Sequence, residues 1–248
     1  MKRFAIFLGI AFFVFSPFLT GKIRAETFRV MRYCESFPPY YFNSDSPQSG
    51  IVRDIFTALT KETGDNFKFV DVPYKRGLYK FDSGQVDIEP MANPVWRKHA
   101  KVPGVYSVPF AVSEQIILYN SKYYQMVNMP DDLLGETIGT VSGYTYPVYG
   151  PYFEEGMLTA YAVKNENKLV QMLLAGRLHQ AIMNKEFALY AVKERDAEGQ
   201  LIASEPCNSV KMMIRFHPSK KEAVPRFDRA LKKLIADGTI KKIYEKYR

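Results

Sequence analysis

The chain is poor in the residues that build most catalytic and metal centres. It has two cysteines and three histidines among 248 residues. His99, His179 and His217 are scattered, with no ligand spacing among them. Cys34 and Cys207 lie far apart with no histidine nearby, which makes a poor metal site. Neither a Ser–His–Asp or Cys–His arrangement nor a phosphate-cradling glycine loop stands out, so nothing marks a nucleophilic or phosphoryl-transfer enzyme. After residue 25 no segment is apolar enough to span a membrane. A strong excess of one charge is missing as well. The formal charge is +8; Lys2, Arg3, Lys22 and Arg24 contribute four of those charges, no acid lies among the first 25 residues, and the rest of the chain carries +4. That surplus is too mild to call for nucleic acid. The lysine pairs at 220–221, 232–233 and 241–242 read as solvated faces of C-terminal helices. The expectation is a chain with no metal, no cofactor and no nucleic-acid partner.

What is present begins with a separate N-terminal segment. Lys2 and Arg3 precede an apolar run from Phe4 to Leu19, and Ala25 is placed to end a cleavage site. This is the pattern of a secretory signal peptide over residues 1–25, and the run falls short of the ~20 residues of a spanning helix. Ile23 and the charges on Lys22 and Arg24 make the site imperfect, which leaves an uncleaved anchor as the alternative. The 223 residues that follow can bury one large core or two moderate ones.

Residues 73–97, PYKRGLYKFDSGQVDIEPMANPVWR, are the most informative stretch. Tyr74, Leu78 and Phe81 fall at helical spacing, and Gly84 sits where a helix end needs left-handed dihedrals. Val86–Pro90 reads as a short strand. Asn93 and Pro94 read as the N-cap and first position of a new helix, which puts Arg97 in its first turn, just past a strand end. Ligands bind at such strand ends in open α/β sheets, and a guanidinium beside free backbone N–H groups is a receptor for a carboxylate or phosphate. The competing reading pairs Arg97 with Asp87 or Glu89 on the surface.

Strands and helices alternate along the chain. Thr27–Tyr33, Phe67–Val72, Gln115–Tyr119, Thr137–Ser142, Leu178–Met183 and Val210–Phe216 read as strands. Gly50–Glu62, Asn165–Ala175 and Lys221–Tyr247, the last broken at Gly238, read as helices. The β-α-β-α-β order at the start implies a parallel sheet with right-handed crossovers. SGQVDIEPMAN and AGRLHQAIMN share a helix end, a glycine, a short strand and an asparagine, which fits two halves of similar plan.

Several of these stretches together resemble the bacterial periplasmic solute-binding proteins of the polar amino acid type, family 3. The pattern is Pro73-Tyr74-Lys75-Arg76, then Ser83-Gly84 with Asp87, then Arg97. Phe37-Pro38-Pro39-Tyr40 is similar to the family's first cleft loop, and Gly50 to Asp54 to its Gly-x-x-x-Asp helix start. Tyr106–Phe110 is similar to its Phe-Ser-x-Pro-Tyr crossover, Thr140–Thr145 to its second-lobe glycine turn, and Asp237-Gly238-Thr239 with Ile243 and Tyr247 to its C-terminal helix.

The resemblance implies an α/β fold of two lobes with two hinge crossings (type II), each lobe a mainly parallel sheet flanked by helices. Lobe 1 is expected over 26–111 and 209–248, and lobe 2 over 112–208. It implies a monomer in the periplasm that binds a small polar, carboxylate-bearing solute, an amino acid or close relative, for the permease of an ABC importer in the inner membrane. Phe37 and Tyr74 match the aromatic residues that sandwich the ligand, Arg97 the carboxylate-binding arginine, and Gly143-Tyr144-Thr145 the turn that faces the carboxylate. Asn184 stands where the family's ammonium-binding aspartate does. It brings an acceptor but no charge, and Ala92 and Pro90 depart from the pattern too, which puts an ordinary α-amino acid ligand in question. In an oxidising compartment a disulfide between Cys34 and Cys207 is expected, tying the returning crossover to lobe 1. Two alternatives share the fold: a ligand-sensing lobe of a membrane receptor, and a periplasmic dehydratase of the cyclohexadienyl type, for which Glu186 is the candidate acid.

Overall fold

The computed structural model describes residues 25–33, 36–42, 46–124 and 130–247; the expected signal peptide up to residue 24 and Cys34 lie outside them. In chain order the described residues form β1 (Thr27–Tyr33), α1 (Ile51–Thr63), β2 (Asn66–Val72), α2 (Tyr74–Asp82), β3 (Ile88–Ala92), β4 (Val105–Tyr106) and β5 (Ala111–Asn120). There follow β6 (Thr137–Val141), α3 (Gly150–Glu154), β7 (Thr159–Val163), α4 (Glu166–Leu174), β8 (Gln180–Asn184), α5 (Lys185–Lys193), β9 (Leu201–Ala203), β10 (Asn208–Phe216), α6 (Val224–Ala236) and α7 (Thr239–Glu245).

The strands run in the order β2-β1-β3-β10-β5-β8-β6-β7, with β4 on β10 and β9 on β5. β1 is parallel to β2 and β3, and β6 is parallel to β7 and β8. Between these two parallel sets lie two long antiparallel strands. β5 and β10 pair over Ala111–Gln115 against Asn208–Met212. Each then leaves the shared stretch for a different half: β5 goes on to pair with β8, and β10 goes on to pair with β3. The two passages between the halves are thus one antiparallel ribbon.

Two bodies of core sit on either side of it. In the first, Phe28, Ile51, Ile55, Phe56, Phe216, Phe227 and Leu231 are buried together, so the C-terminal helices close the half that the N-terminal strands begin. In the second, alternate residues of β5 go to opposite faces, as a strand's period of two demands. Ile116 and Leu118 pack with Leu169, Leu173 and Phe187, while Ile117 and Tyr119 pack with Ile138 and Ile182. A strand covered on both faces explains the unbroken apolar run IILY.

Gly84 takes φ +68 and ends α2 as the sequence implies. The helix expected at Pro94 is shorter than its cap suggests. Asn93 does accept from the Val95 N–H at 2.9 Å, but the segment is a single 3-10 turn, Pro94–Arg97. Nothing apolar at helical spacing follows Arg97 to prolong it, and Pro103-Gly104 ends the segment. Gly104 has φ +77, and a Cβ there would lie 2.7 Å from both Cγ and Nε of Arg215. Gly104→Ala is therefore expected to cost about 1 to 3 kcal/mol, from backbone strain and from pushing Arg215 off its partners. Urea denaturation of the variant against the parent measures it.

Candidate functional site

The carboxyl ends of β1, β3, β6 and β8 converge between the two halves. They bound a cleft of about 360 Å3 lined from both sides. Phe37, Tyr74, Arg97, Tyr144, Thr145 and Asn184 all line it, so the structure brings together the six residues singled out in the sequence. Their contacts, however, differ from the expected ones in several places.

Phe37 sits in a tight turn held by two backbone bonds of 2.9 Å with Tyr41. Its ring stacks on Tyr40 at 5.5 Å and on Phe187 of α5 at 5.1 Å, with interplanar angles of 11° and 10°. Both faces are covered by the protein itself, so the sandwich expected with a solute is made with two neighbours, one from each half.

Tyr74 opens α2 after Pro73 and is 38% exposed toward the cleft. Its ring meets Tyr33 at 5.2 Å, and Tyr33 meets Tyr41 at 6.2 Å. With Trp96 these three tyrosines make one aromatic wall. Burial, and then the charge of Glu89, pushes the phenol pKa values of Tyr33 and Tyr41 up. Both stay protonated and able to donate.

Arg97 lies against this wall, but its fork is engaged. Nε donates to Glu89 Oε2 at 3.1 Å, and a terminal nitrogen pairs with Glu89 Oε1. The other terminal nitrogen donates to the Tyr74 hydroxyl and to Trp96 O, each at 3.1 Å. Of five N–H groups, four have partners. Glu89 is 1% exposed and also accepts from Arg215 at 2.9 Å. Arg215 is fully buried, donates to the carbonyls of Val102 and Pro103, and lies 3.9 Å from the ring centre of Phe81. Burial opposes the Arg97 charge, and Glu89 more than offsets it, so the Arg97 pKa is raised. The alternative pairing read from the sequence is realised with Glu89, though buried rather than on the surface.

The opposite wall is more polar. Gly143 and Tyr144 form a turn in which Tyr144 N–H donates to Val141 O at 3.1 Å, leaving Tyr144 46% exposed and Thr145 exposed. Burial, and then the charge of Glu166, raises the Tyr144 phenol, whose hydroxyl is hydrogen-bonded to Glu166. Lys164 and Asn167 line this side as well. Asn184 caps α5: its Oδ1 accepts from Phe187 N–H at 3.0 Å. Its Nδ2 donates to Ser113 at 3.0 Å and to Tyr40 at 3.4 Å. The acceptor expected to face a ligand ammonium is thus committed to the helix.

The sequence model of the bacterial extracellular solute-binding proteins, family 3, matches residues 30–248. The chain belongs to this family. Its fold is the two-lobed, type II binding-protein fold, with the β5–β10 ribbon joining the lobes. Among similar solved structures is an ancestral arginine-binding protein bound to arginine, with TM-score 0.73, 21% identity, and coverage of 89% of this chain and 97% of that one. An ancestral amino acid-binding protein described as a precursor of cyclohexadienyl dehydratase has TM-score 0.70 and 21% identity over 89% and 94% of the two chains. The periplasmic VFT2 domain of Bordetella pertussis BvgS has TM-score 0.70 and 19% identity over 90% and 93%. No curated protein matches the chain by sequence.

In this family 3 chain the disulfide expected between Cys34 and Cys207 falls on Cys34, which lies outside the described residues. Cys207 is a free cysteine. Its N–H and its Sγ–H both donate to Gln115 O, at 2.9 and 3.2 Å, and it packs against the cluster of Tyr119 and Tyr149, so the thiol belongs to the second lobe's core. Burial pushes that thiol up to about 11. At pH 8 on the order of a thousandth of it is thiolate. Cys207 is expected to react with a disulfide reagent far more slowly in native than in denatured protein, which timed thiol titration checks.

Glu186, the acid on which the catalytic alternative rested, is not among the residues lining the cleft. The carboxylates that do line it are Glu89 and Glu166. Sequence reading missed Tyr33, Tyr41, Phe187 and Arg215. Tyr33 had a signal, as the last residue of a strand that leads into the cleft loop. Arg215 had none, since an arginine within the apolar run MMIRF gives no hint of a partner 126 positions away.

Proposed function

We propose that this chain captures a small polar solute, an amino acid or a close chemical relative, between its two lobes in the periplasm and hands it to the permease of an ABC importer in the inner membrane. The observation that carries the reading is the cleft itself. Six residues picked for solute contact, from four separate stretches of sequence, line one space at the strand ends of both lobes. Residues 26–111 with 209–248 form lobe 1 in this reading, and 112–208 form lobe 2. Closure about the β5–β10 ribbon is the motion that traps the solute. Solved neighbours described as bound to arginine, glutamine and L-glutamate support an amino-acid-like cargo. The protein acts as a monomer and needs no cofactor. A thermal-shift screen of amino acids, their amides and small amines tests the reading. A true solute at a hundred times its dissociation constant is expected to stabilise the protein by about 2.7 kcal/mol. A screen in which none of these compounds moves the transition would overturn it.

A further inference from the structure

The unusual feature of the cleft is a guanidinium at its wall whose anion is already supplied. Glu89 receives four donors: two from Arg97, one from Arg215 and, at 3.4 Å, the Tyr33 hydroxyl. A carboxylate has about four acceptor positions, so Glu89 is saturated. Among the described residues Arg97 retains one N–H without a partner, and so lacks two free parallel donors to grip a carboxylate. An incoming acid would reach a second N–H only by displacing the Tyr74 hydroxyl or Trp96 O from the other terminal nitrogen, or by displacing Glu89. Displacing Glu89 would strip a buried carboxylate of two bonds and leave it among apolar neighbours with Arg215, a costly arrangement. The excess positive charge of the trio does not invite an anion either. It is met by the carbonyls of Trp96, Val102 and Pro103 and by the ring of Phe81.

Resting on the solute-capture reading above, we propose that Glu89 sets the solute class. It holds Arg97 from inside and makes the first wall a charge-closed aromatic surface, so the cargo is an amino-acid relative whose carboxyl end is neutral, as in an amide. The rings of Tyr33, Tyr41, Tyr74 and Trp96 meet that neutral end. The Tyr74 hydroxyl accepts from Arg97 and keeps its own proton to donate to the carbonyl oxygen of that end, which no longer brings a charge to desolvate.

The test uses matched pairs, each an amino acid and its α-carboxamide, with phenylalanine, leucine and glutamine as the parents. Calorimetry and thermal shift are run on the wild type, Glu89→Gln and Glu89→Asp. Glu89→Asp keeps the charge, shortens the reach to Arg97, and serves if Glu89→Gln fails to fold. The wild type is expected to bind at least one amide tenfold or more tightly than its acid. Both variants are expected to bind the acid at least tenfold more tightly than the wild type does. A wild type that binds the acid as tightly as the amide, or variants that leave the ratio within twofold, would overturn the role of Glu89 while leaving solute capture intact. Failure of every acid and amide to bind any of the three proteins would overturn solute capture, and the assignment to Glu89 with it.

Discussion

Arg215→Ala is expected to lower the free energy of unfolding by about 3 to 5 kcal/mol, the range for breaking a buried ion pair by removing one partner. Arg215 has no exposed surface and ties three separate stretches together: Glu89 on β3, the carbonyls of Val102 and Pro103, and Phe81 at the end of α2. Truncation strips Glu89 of one donor, takes a donor from the carbonyls of Val102 and Pro103, and opens a cavity beside Phe81. Each consequence acts in the same direction. Lys241→Ala supplies the contrast. Lys241 and Glu245 pair at 3.7 Å with side chains 80% and 51% exposed, and removal of such a pair changes stability by about 0 to 1 kcal/mol. Urea denaturation of the two variants under one set of conditions measures both. A loss below about 1 kcal/mol for Arg215→Ala would mean that the Glu89 network is not structural and that Arg97 alone suffices to hold it.

The contrast also explains which parts of this molecule were legible in the sequence. β1 follows from its local pattern and spans Thr27–Tyr33 as expected. The break between α6 and α7 follows from Gly238, which takes φ +76. The cleft was legible as a set of residues, because strand ends and glycine turns mark themselves locally. Its contacts were not. Glu89 and Arg97 are eight positions apart, and their pairing was one of two readings. What decided it was Arg215, far along the chain, which buries the pair instead of leaving it at the surface. Asn184 shows a different limit. An asparagine just before KEFALYAVK carries a capping signal as strong as any ligand-binding one, and the helix start claimed its oxygen. The two sides of the Phe37 ring are set by Tyr40, three residues on, and Phe187, in the other lobe, and only the first was within reach of local reasoning.

Phe187→Ala is the second large effect expected. Phe187 is 1% exposed, packs in the second lobe's core, and stacks on Phe37 across the cleft. Loss of a buried phenylalanine costs about 3 to 5 kcal/mol through lost burial and the cavity left behind. Part of that loss belongs to contact between the lobes rather than to the lobe's own core, and a double-mutant cycle with Phe37→Ala separates the two. Phe37 packs against both lobe cores, so its ring is the bridge. Stacked aromatic pairs contribute about 0.5 to 1.5 kcal/mol beyond their buried area, and the coupling energy between the two substitutions is expected to fall in that range. The same stack restrains the hinge. Phe37→Ala alone, which spares the second core, is therefore expected to enlarge the radius of gyration in solution scattering. Additive single effects, within about 0.3 kcal/mol, together with an unchanged radius would show that the lobes are held apart or together by the β5–β10 ribbon alone.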